Sequence, residues 1–223
     1  MRPARVALLT LLVAFAMPAS RGQTATPAAP SRDDIVNALN KFDTAPELDI
    51  PTLKQTILDR SKVRSKKEPE ANKRPPIVPD IMNVPGTFNV AISFDVDTPI
   101  ILPESYETVG RIADALVNAS LLPYSFLIVG HSDATGNRPA NVTLSQRRAD
   151  ALRDVLVNTF KISAKRIQSL GVGEEQFIDQ AHPASPVNLQ IQIITVAKAP
   201  EQSEQPAAAA APAAAKKSAK KKK

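Results

Sequence analysis

The 223-residue chain contains no cysteine and no tryptophan. Without cysteine there is no disulfide framework, no thiolate metal site and no lipid-modified cysteine. Histidine is nearly absent too: His131 and His182 are the only two. A multi-histidine metal centre is therefore excluded, and no metal or other cofactor is expected. Aromatic residues make up only 4% of the chain, whereas proline occurs 20 times. That balance fits a folded part diluted by proline-rich connectors. Long apolar runs are also missing. The best, Val6 to Met17, is broken by Thr10 and falls short of the roughly 20 residues that span a bilayer. Arg2 and Arg5 precede it and small residues follow, with Ser20 and Gly22 at the −3 and −1 positions of a cleavage site. Residues 1–22 thus read as a secretory signal peptide. Too few alternating segments remain for an outer-membrane barrel. Export without cysteine points to a bacterial periplasm.

The formal net charge of +6 is unevenly distributed. Three positive charges sit on Arg2, Arg5 and Arg21, and the tail from Ala199 sets six lysines against Glu201 and Glu204. Residues 23–198 are left one charge negative, which excludes a basic, specific nucleic-acid-binding body.

Residues 23–85 read as a linker that carries a short helix near 31–42. Ser31 can cap that helix, Asp33 and Asp34 favour its first turn, and Ile35, Leu39 and Phe42 share a face. Pro51 to Leu58 can add a turn or two. Arg60 to Pro76 is charged, lacks an apolar period and ends in two prolines, so it reads as an extended tether. Residues 199–223, rich in Ala, Pro and Lys, cannot bury a core and read as a disordered tail. The lysines suit either tethering to anionic polymers or head groups, or plain solubilisation.

Residues 86–198 are patterned differently. Phe88, Val90, Ile92 and Phe94 alternate with smaller or polar residues as in a half-buried strand. Pro103 opens a helix with Val109, Ile112 and Leu116 on one face. Phe126 to Val129 is a continuous apolar run, expected to be a central strand buried on both faces. A helix follows from about Asn141 to Phe160, with Thr143 and Gln146 as a capping box. Ile167–Gly171 and Asn188–Val196 supply two more strands. The order βαβαβ(α)β predicts an α/β (α+β) sandwich of one sheet and two main helices.

Neither histidine belongs to a nucleophile motif. Gly171-Val172-Gly173 lacks the third glycine of a dinucleotide fingerprint, and there is no phosphate loop. The sequence is expected not to encode an enzyme. One residue stands out instead. Projected at 100° per residue, the Asn141–Phe160 helix has an apolar face of Leu144, Ala151, Leu152 and Val155, with Arg148 in its middle. A charge there needs an acidic partner, and a guanidinium suits a carboxylate. Asp133, in the loop after the central strand, is the candidate within the chain. Two readings stand: a structural Asp133–Arg148 salt bridge, or a pair of sites for a ligand that carries both an ammonium and a carboxylate.

Gly130-His131-Ser132-Asp133, Gly136, Asn141, Leu144-Ser145 and Arg147-Arg148-Ala149 resemble the OmpA-like C-terminal domain shared with MotB and peptidoglycan-associated lipoproteins. Phe94-Asp95-Val96-Asp97-Thr98 is similar to that family's FDFDS segment, and Gly171-Val172-Gly173-Glu174 to its GYGE. The resemblance covers about Phe88 to Val196. It implies non-covalent binding of peptidoglycan through diaminopimelate, with Asp133 meeting the amino group and Arg148 the carboxylate. Asp97, Thr135 and Asn141 match positions that line the same pocket. His131 is expected to be structural. One departure is plain: where the family ends Asn-Arg-Arg-Val, this chain has Asn188-Leu189-Gln190-Ile191, and both arginines are gone.

The leading expectation is thus a peptidoglycan-binding protein of the periplasm, associated with the cell wall or outer membrane. The alternative is a structural or protein-interaction module of the envelope whose wall binding is weakened or lost. The lysine tail adds envelope proteins or anionic polymers as further partners.

Overall fold

The computed structural model describes residues 29–41, 48–62 and 84–198. The expected signal, the tail, Phe42 and most of the expected tether lie outside these residues. Among the described residues, no helix is long and apolar enough to cross a membrane.

The N-terminal segment contributes two helices, α1 (Arg32–Leu39) and α2 (Ile50–Lys62). Ser31 caps α1 by accepting a hydrogen bond from the Asp34 amide, and Ile35 and Leu39 are buried. The segment expected as a linker is more structured than its composition announced. In place of a turn or two, α2 runs for 13 residues and reaches past Arg60. Tertiary burial of Ile50 and Ile57 outweighs a weakly helical, charged sequence.

The rest of the fold is β1 (Thr87–Val90), a 3₁₀ turn at Pro103–Ser105, α3 (Tyr106–Leu116), β2 (Tyr124–His131), α4 (Arg138–Asp154), β3 (Ile167–Gly173) and β4 (Ile191–Lys198). The sheet order is β1-β4-β2-β3. β4 pairs antiparallel with β1 and β2, and β2 pairs parallel with β3 across α4. β2 lies inside the sheet and is buried on both faces, as its unbroken apolar run requires.

Alternation assigns the faces. Phe126, Ile128, Ile167, Ile191 and Ile193 share one core with Ile35 and Leu39 of α1, Ile112 and Leu116 of α3, and Ala149, Leu152 and Leu156. Leu127, Val129, Leu170, Val172, Ile194 and Val196 form a second core with Ile50 and Ile57 of α2. The expected two-layer sandwich is therefore covered on its second face by α2.

Several boundaries differ from expectation: α4 ends at Asp154 and passes into a π-helical turn at Val155–Thr159, β3 runs on to Gly173, and three further differences bear on the site. β1 stops at Val90 because its partner β4 begins at Ile191, directly opposite. Phe94 instead forms an isolated bridge with Ile101. The last strand begins at Ile191 rather than Asn188, which lies in a 3₁₀ turn at Pro186–Leu189. Asn188 is consumed there as a buried hub. Its amide donates to the carbonyls of Asp179, His182 and Pro183, and its oxygen accepts from the Asp179 amide. Finally, α4 begins at Arg138 with Asn137 as its cap, accepting from the Ala140 amide. No Thr143–Gln146 capping box forms. The Thr143 hydroxyl donates back to the Pro139 carbonyl, and the Gln146 amide reaches Asp150 and the Gly171 amide.

α4 lies unusually close to the β2–β3 seam. A Cβ placed on Gly130 would stand 2.2 Å from the Ser145 carbonyl oxygen, and one on Gly171 would stand 2.1 Å from the Gln146 amide nitrogen. Side chains then bridge helix to strand: Ser145 Oγ accepts from the Gly173 amide at 2.9 Å and Gln146 Oε1 from the Gly171 amide at 2.8 Å. Gly171→Ala must push backbone from backbone. The expected loss is about 3 kcal/mol, toward the upper end of overpacking costs, and a lowered Tm in thermal denaturation checks it.

Candidate functional site

The close seat of α4 decides what its side chains face. Its buried residues are Val142, Ser145, Ala149 and Leu152. Arg148 is therefore not in the middle of the core-facing stripe, as the helix projection expected, but on its flank. The projection missed because half of that buried face is made by the small residues Ser145 and Ala149, which it passed over. Leu144 lies with Arg148 on the wall of a cleft.

That cleft has a volume of about 950 Å³ and is open to solvent. All five expected site residues line it: Asp97, Asp133, Thr135, Asn141 and Arg148. Its floor and rim also include Phe94, Val96, Leu144, Arg147 and Leu189, which residue pattern alone did not select. The signal for Phe94 was available, since it opens the segment that ends in Asp97 and Thr98.

Arg148 is held from two sides. Its Nε donates to the Thr98 carbonyl at 3.1 Å, and its guanidinium lies 5.1 Å from the centre of the Phe94 ring. The acceptor is aimed by a tight turn in which Thr98 N donates to the Asp95 carbonyl and Asp95 N to the Ile100 carbonyl. Asp97 occupies the left-handed region of that turn, with φ at 55°, a conformation costly for residues with a Cβ. Burial pushes the Arg148 pKa down, while the nearby charges of Asp97 and Asp133 hold it up. Among the described residues, no ion pair closes on Arg148, and its two terminal nitrogens make no hydrogen bond. The structural salt bridge to Asp133 is not formed.

Asp133 is fixed just as deliberately. Its Oδ1 accepts from both the amide and the hydroxyl of Thr135, at 3.1 and 2.6 Å. Oδ2 has no hydrogen-bond partner among the described residues. The Asn141 amide clamps the same loop by donating to the Thr135 carbonyl at 2.8 Å and to Glu174 at 3.0 Å. Main-chain bonds pin the loop further: Ser132 N donates to the Gly173 carbonyl, Ala134 N to Pro183, and His131 N to Gln190. Chemically, the cleft presents the free Oδ2 of Asp133 and the terminal nitrogens of Arg148, and beside them the side chains of Asp97 and Arg147, which make no hydrogen bond or ion pair among the described residues. The Arg148 fork suits a carboxylate, which it can bind through two parallel bonds.

His131 lies behind the loop, fully buried, with Nδ1 3.0 Å from the Gln176 carbonyl and Nε2 3.3 Å from the Gln192 side chain. Burial lowers its pKa, an effect opposed by those two bonds. The folded state therefore favours the neutral ring. Stability is undiminished above the unfolded histidine value, about 6.5, and is lost as pH falls below it toward the lowered folded value. Thermal denaturation between pH 7 and pH 5 should show a smaller drop in Tm for His131→Gln than for the native chain.

The OmpA family model matches residues 93–188. Over 101 residues the chain is 32% identical to outer membrane porin F of Pseudomonas aeruginosa, covering 45% of this chain and 27% of that protein. It is 35% identical over 92 residues to the peptidoglycan-associated lipoprotein of Brucella melitensis, covering 40% of this chain and 53% of the lipoprotein. Among solved structures, the peptidoglycan-associated lipoprotein of Burkholderia pseudomallei is similar at 23% identity and a TM-score of 0.39, covering 47% of this chain and 87% of that one. The chain thus spans about half the length of the lipoprotein relative, and about a quarter of the porin.

Proposed function

Because residues 93–188 of this chain match the OmpA family model, we propose that the protein binds peptidoglycan non-covalently, through diaminopimelate-type stem peptides, and catalyses no reaction. Asp133 Oδ2 accepts from the ligand's ammonium, and the Arg148 fork donates to its carboxylate. Asp97, Thr135 and Asn141 complete the pocket. Asp97 adds negative charge, Thr135 orients Asp133, and Asn141 holds the loop. The protein works in the periplasm against the cell wall or outer membrane. Residues 1–22 direct its export and the tail from Ala199 adds a polybasic tether. The observation that carries this reading is the geometry of the pair: Asp133 and Arg148 share one open cleft, each with an unsatisfied polar edge, and do not neutralise each other.

Sedimentation with purified sacculi tests it. The wild type co-sediments, while Asp133→Ala combined with Arg148→Ala stays in the supernatant. Unchanged co-sedimentation of the double variant, with its fold verified by circular dichroism, would rule the site out. Arg148→Lys should bind at least ten times more weakly than wild type, since a lysine cannot offer the paired bonds of the fork, each worth about 1.5 kcal/mol or more with a charged partner.

A second reading draws on Leu189. This residue stands 39% exposed on the cleft rim, where the family resemblance leads one to expect an arginine. An apolar rim weakens attraction for a carboxylate, and an envelope scaffold with low wall affinity follows. Leu189→Arg separates the two. Tighter sacculus binding in the variant means that this chain trades affinity at the rim; no change means that the rim plays no part in wall binding.

A further inference from the structure

The helix α2 lies outside the family-matched residues, yet it reaches the cleft through a buried ionic relay. Arg60, near the end of α2, places its Nε 3.7 Å from Oε2 of Glu175. The Glu175 carboxylate is fully buried. Arg138, the first residue of α4, grips it with both Nε and Nη2, the latter bond at 2.6 Å. The adjacent Glu174 accepts from Asn141, whose amide also holds the carbonyls of Asp133 and Thr135. Two consecutive buried carboxylates at the end of β3 thus connect α2, the first turn of α4 and the loop that carries Asp133.

From this arrangement we infer that Arg60 is a positioning residue for the cleft, and that the docked α2 sets how well Asp133 meets a ligand. The inference rests on the cleft's reading as the wall-binding site. The physical reason is that a buried carboxylate must be compensated. With Arg60 in place, Glu175 shares two cations and holds Arg138 in one orientation. If α2 lifts, Glu175 loses one cation and gains water, and the constraint on the first turn of α4 relaxes. Asn137, Ala140 and Asn141 of that turn line the cleft. The apolar anchorage of α2 is narrow, resting on Ile50 and Ile57 with Leu53 partly buried. It is therefore a part of the fold that can detach at a small cost relative to global unfolding. Events on α2 would in this way tune binding at a cleft that no residue of α2 lines.

The full-length exported protein with purified diaminopimelate-type sacculi provides the test, together with amide NMR shifts measured without sacculi. Arg60→Ala should weaken binding roughly ten-fold, the scale expected when a coupling network loses one member, and should shift the amides of Thr135, Gly136 and Ala140. Arg60→Lys should recover most of the affinity. If the alanine variant does not fold, Arg60→Gln, which keeps part of the stem, carries the same expectation. Native affinity and native shifts in the Arg60 variant, beside lost binding in Asp133→Ala, would overturn the inference and leave the wall-binding reading intact. If Asp133→Ala also binds normally, the wall-binding reading fails. The amide shifts then decide alone: movement in the Arg60 variant supports the relay, and none overturns it.

Discussion

The close seating of α4 on the β2–β3 seam is the constraint on which the rest of the molecule depends. Two positions without side chains, Gly130 and Gly171, let helix backbone meet strand backbone. Ser145 and Gln146 then give their polar groups to strand amides. Small residues at such a contact fix the rotation of the helix as well as its distance. Were Ser145 and Ala149 larger, α4 would ride higher and turn, and Arg148 would no longer look across the cleft at Asp133. The geometry of the cleft is thus a by-product of packing density at a place where no cleft residue lies.

That seat also explains why the charges in the cleft remain unspent. A half-buried arginine usually finds a carboxylate, and an aspartate in a tight loop usually finds a cation. Here each is restrained by other means. Arg148 gives its Nε to a main-chain carbonyl and rests on Phe94. Asp133 is turned by Thr135. The strained turn at Asp97 supplies the carbonyl that holds Arg148. Local strain and desolvation are tolerated because the glycine seam, the Asn141 clamp and the Asn188 hub over-determine the surrounding loops. Preorganisation of this kind means that a ligand need not first break an internal ion pair.

The legible parts of the sequence were those governed by one strong local term. Phe126–Val129 announced a doubly buried strand, and Ser31 with Ile35 and Leu39 announced α1, because composition and period pointed the same way. The illegible parts depended on a partner remote in sequence. β1 ends where β4 begins, which no property of Ile92 or Phe94 discloses. Asn188 resembled the start of a strand, but its side chain had three carbonyls to satisfy. α4 was misregistered because hydrophobicity finds large side chains, whereas the contact was made by Ser145 and Ala149. Asn137 was passed over as a cap in favour of Thr143 for a similar reason: Pro139 suits the first turn of a helix as well as it suits a loop. Within the site, Asp133 and Arg148 could be picked out as charges in need of partners. Phe94 and Leu189 could each be noticed within a motif, but their places, beneath the guanidinium and on the cleft wall, required the fold, since they come from opposite ends of the domain.

The balance of charge in the cleft argues for the kind of ligand as well as for its place. A simple anion would gain from Arg148 but meet the field of both Asp97 and Asp133, which already act on that guanidinium. A simple cation would gain from the aspartates but meet the field of the half-buried Arg148 and of Arg147 on the same cleft wall. Only a molecule with both charges, spaced to match, avoids each penalty. On the proposed reading, rejection of the singly charged competitors is built into the pair, and specificity comes from repulsion as much as from attraction. Such recognition acts over a few ångströms, within a Debye length of roughly 8 Å at physiological salt, so the pair carries no long-range pull of its own. Long-range attraction to an anionic envelope would have to come from elsewhere in the chain, and the six lysines between Lys216 and Lys223 are where its positive charge is densest. On the proposed reading, capture and recognition are physically separate tasks: a screened, unspecific field in the tail, and a short-range pair of opposite charges that the packing of α4 keeps apart.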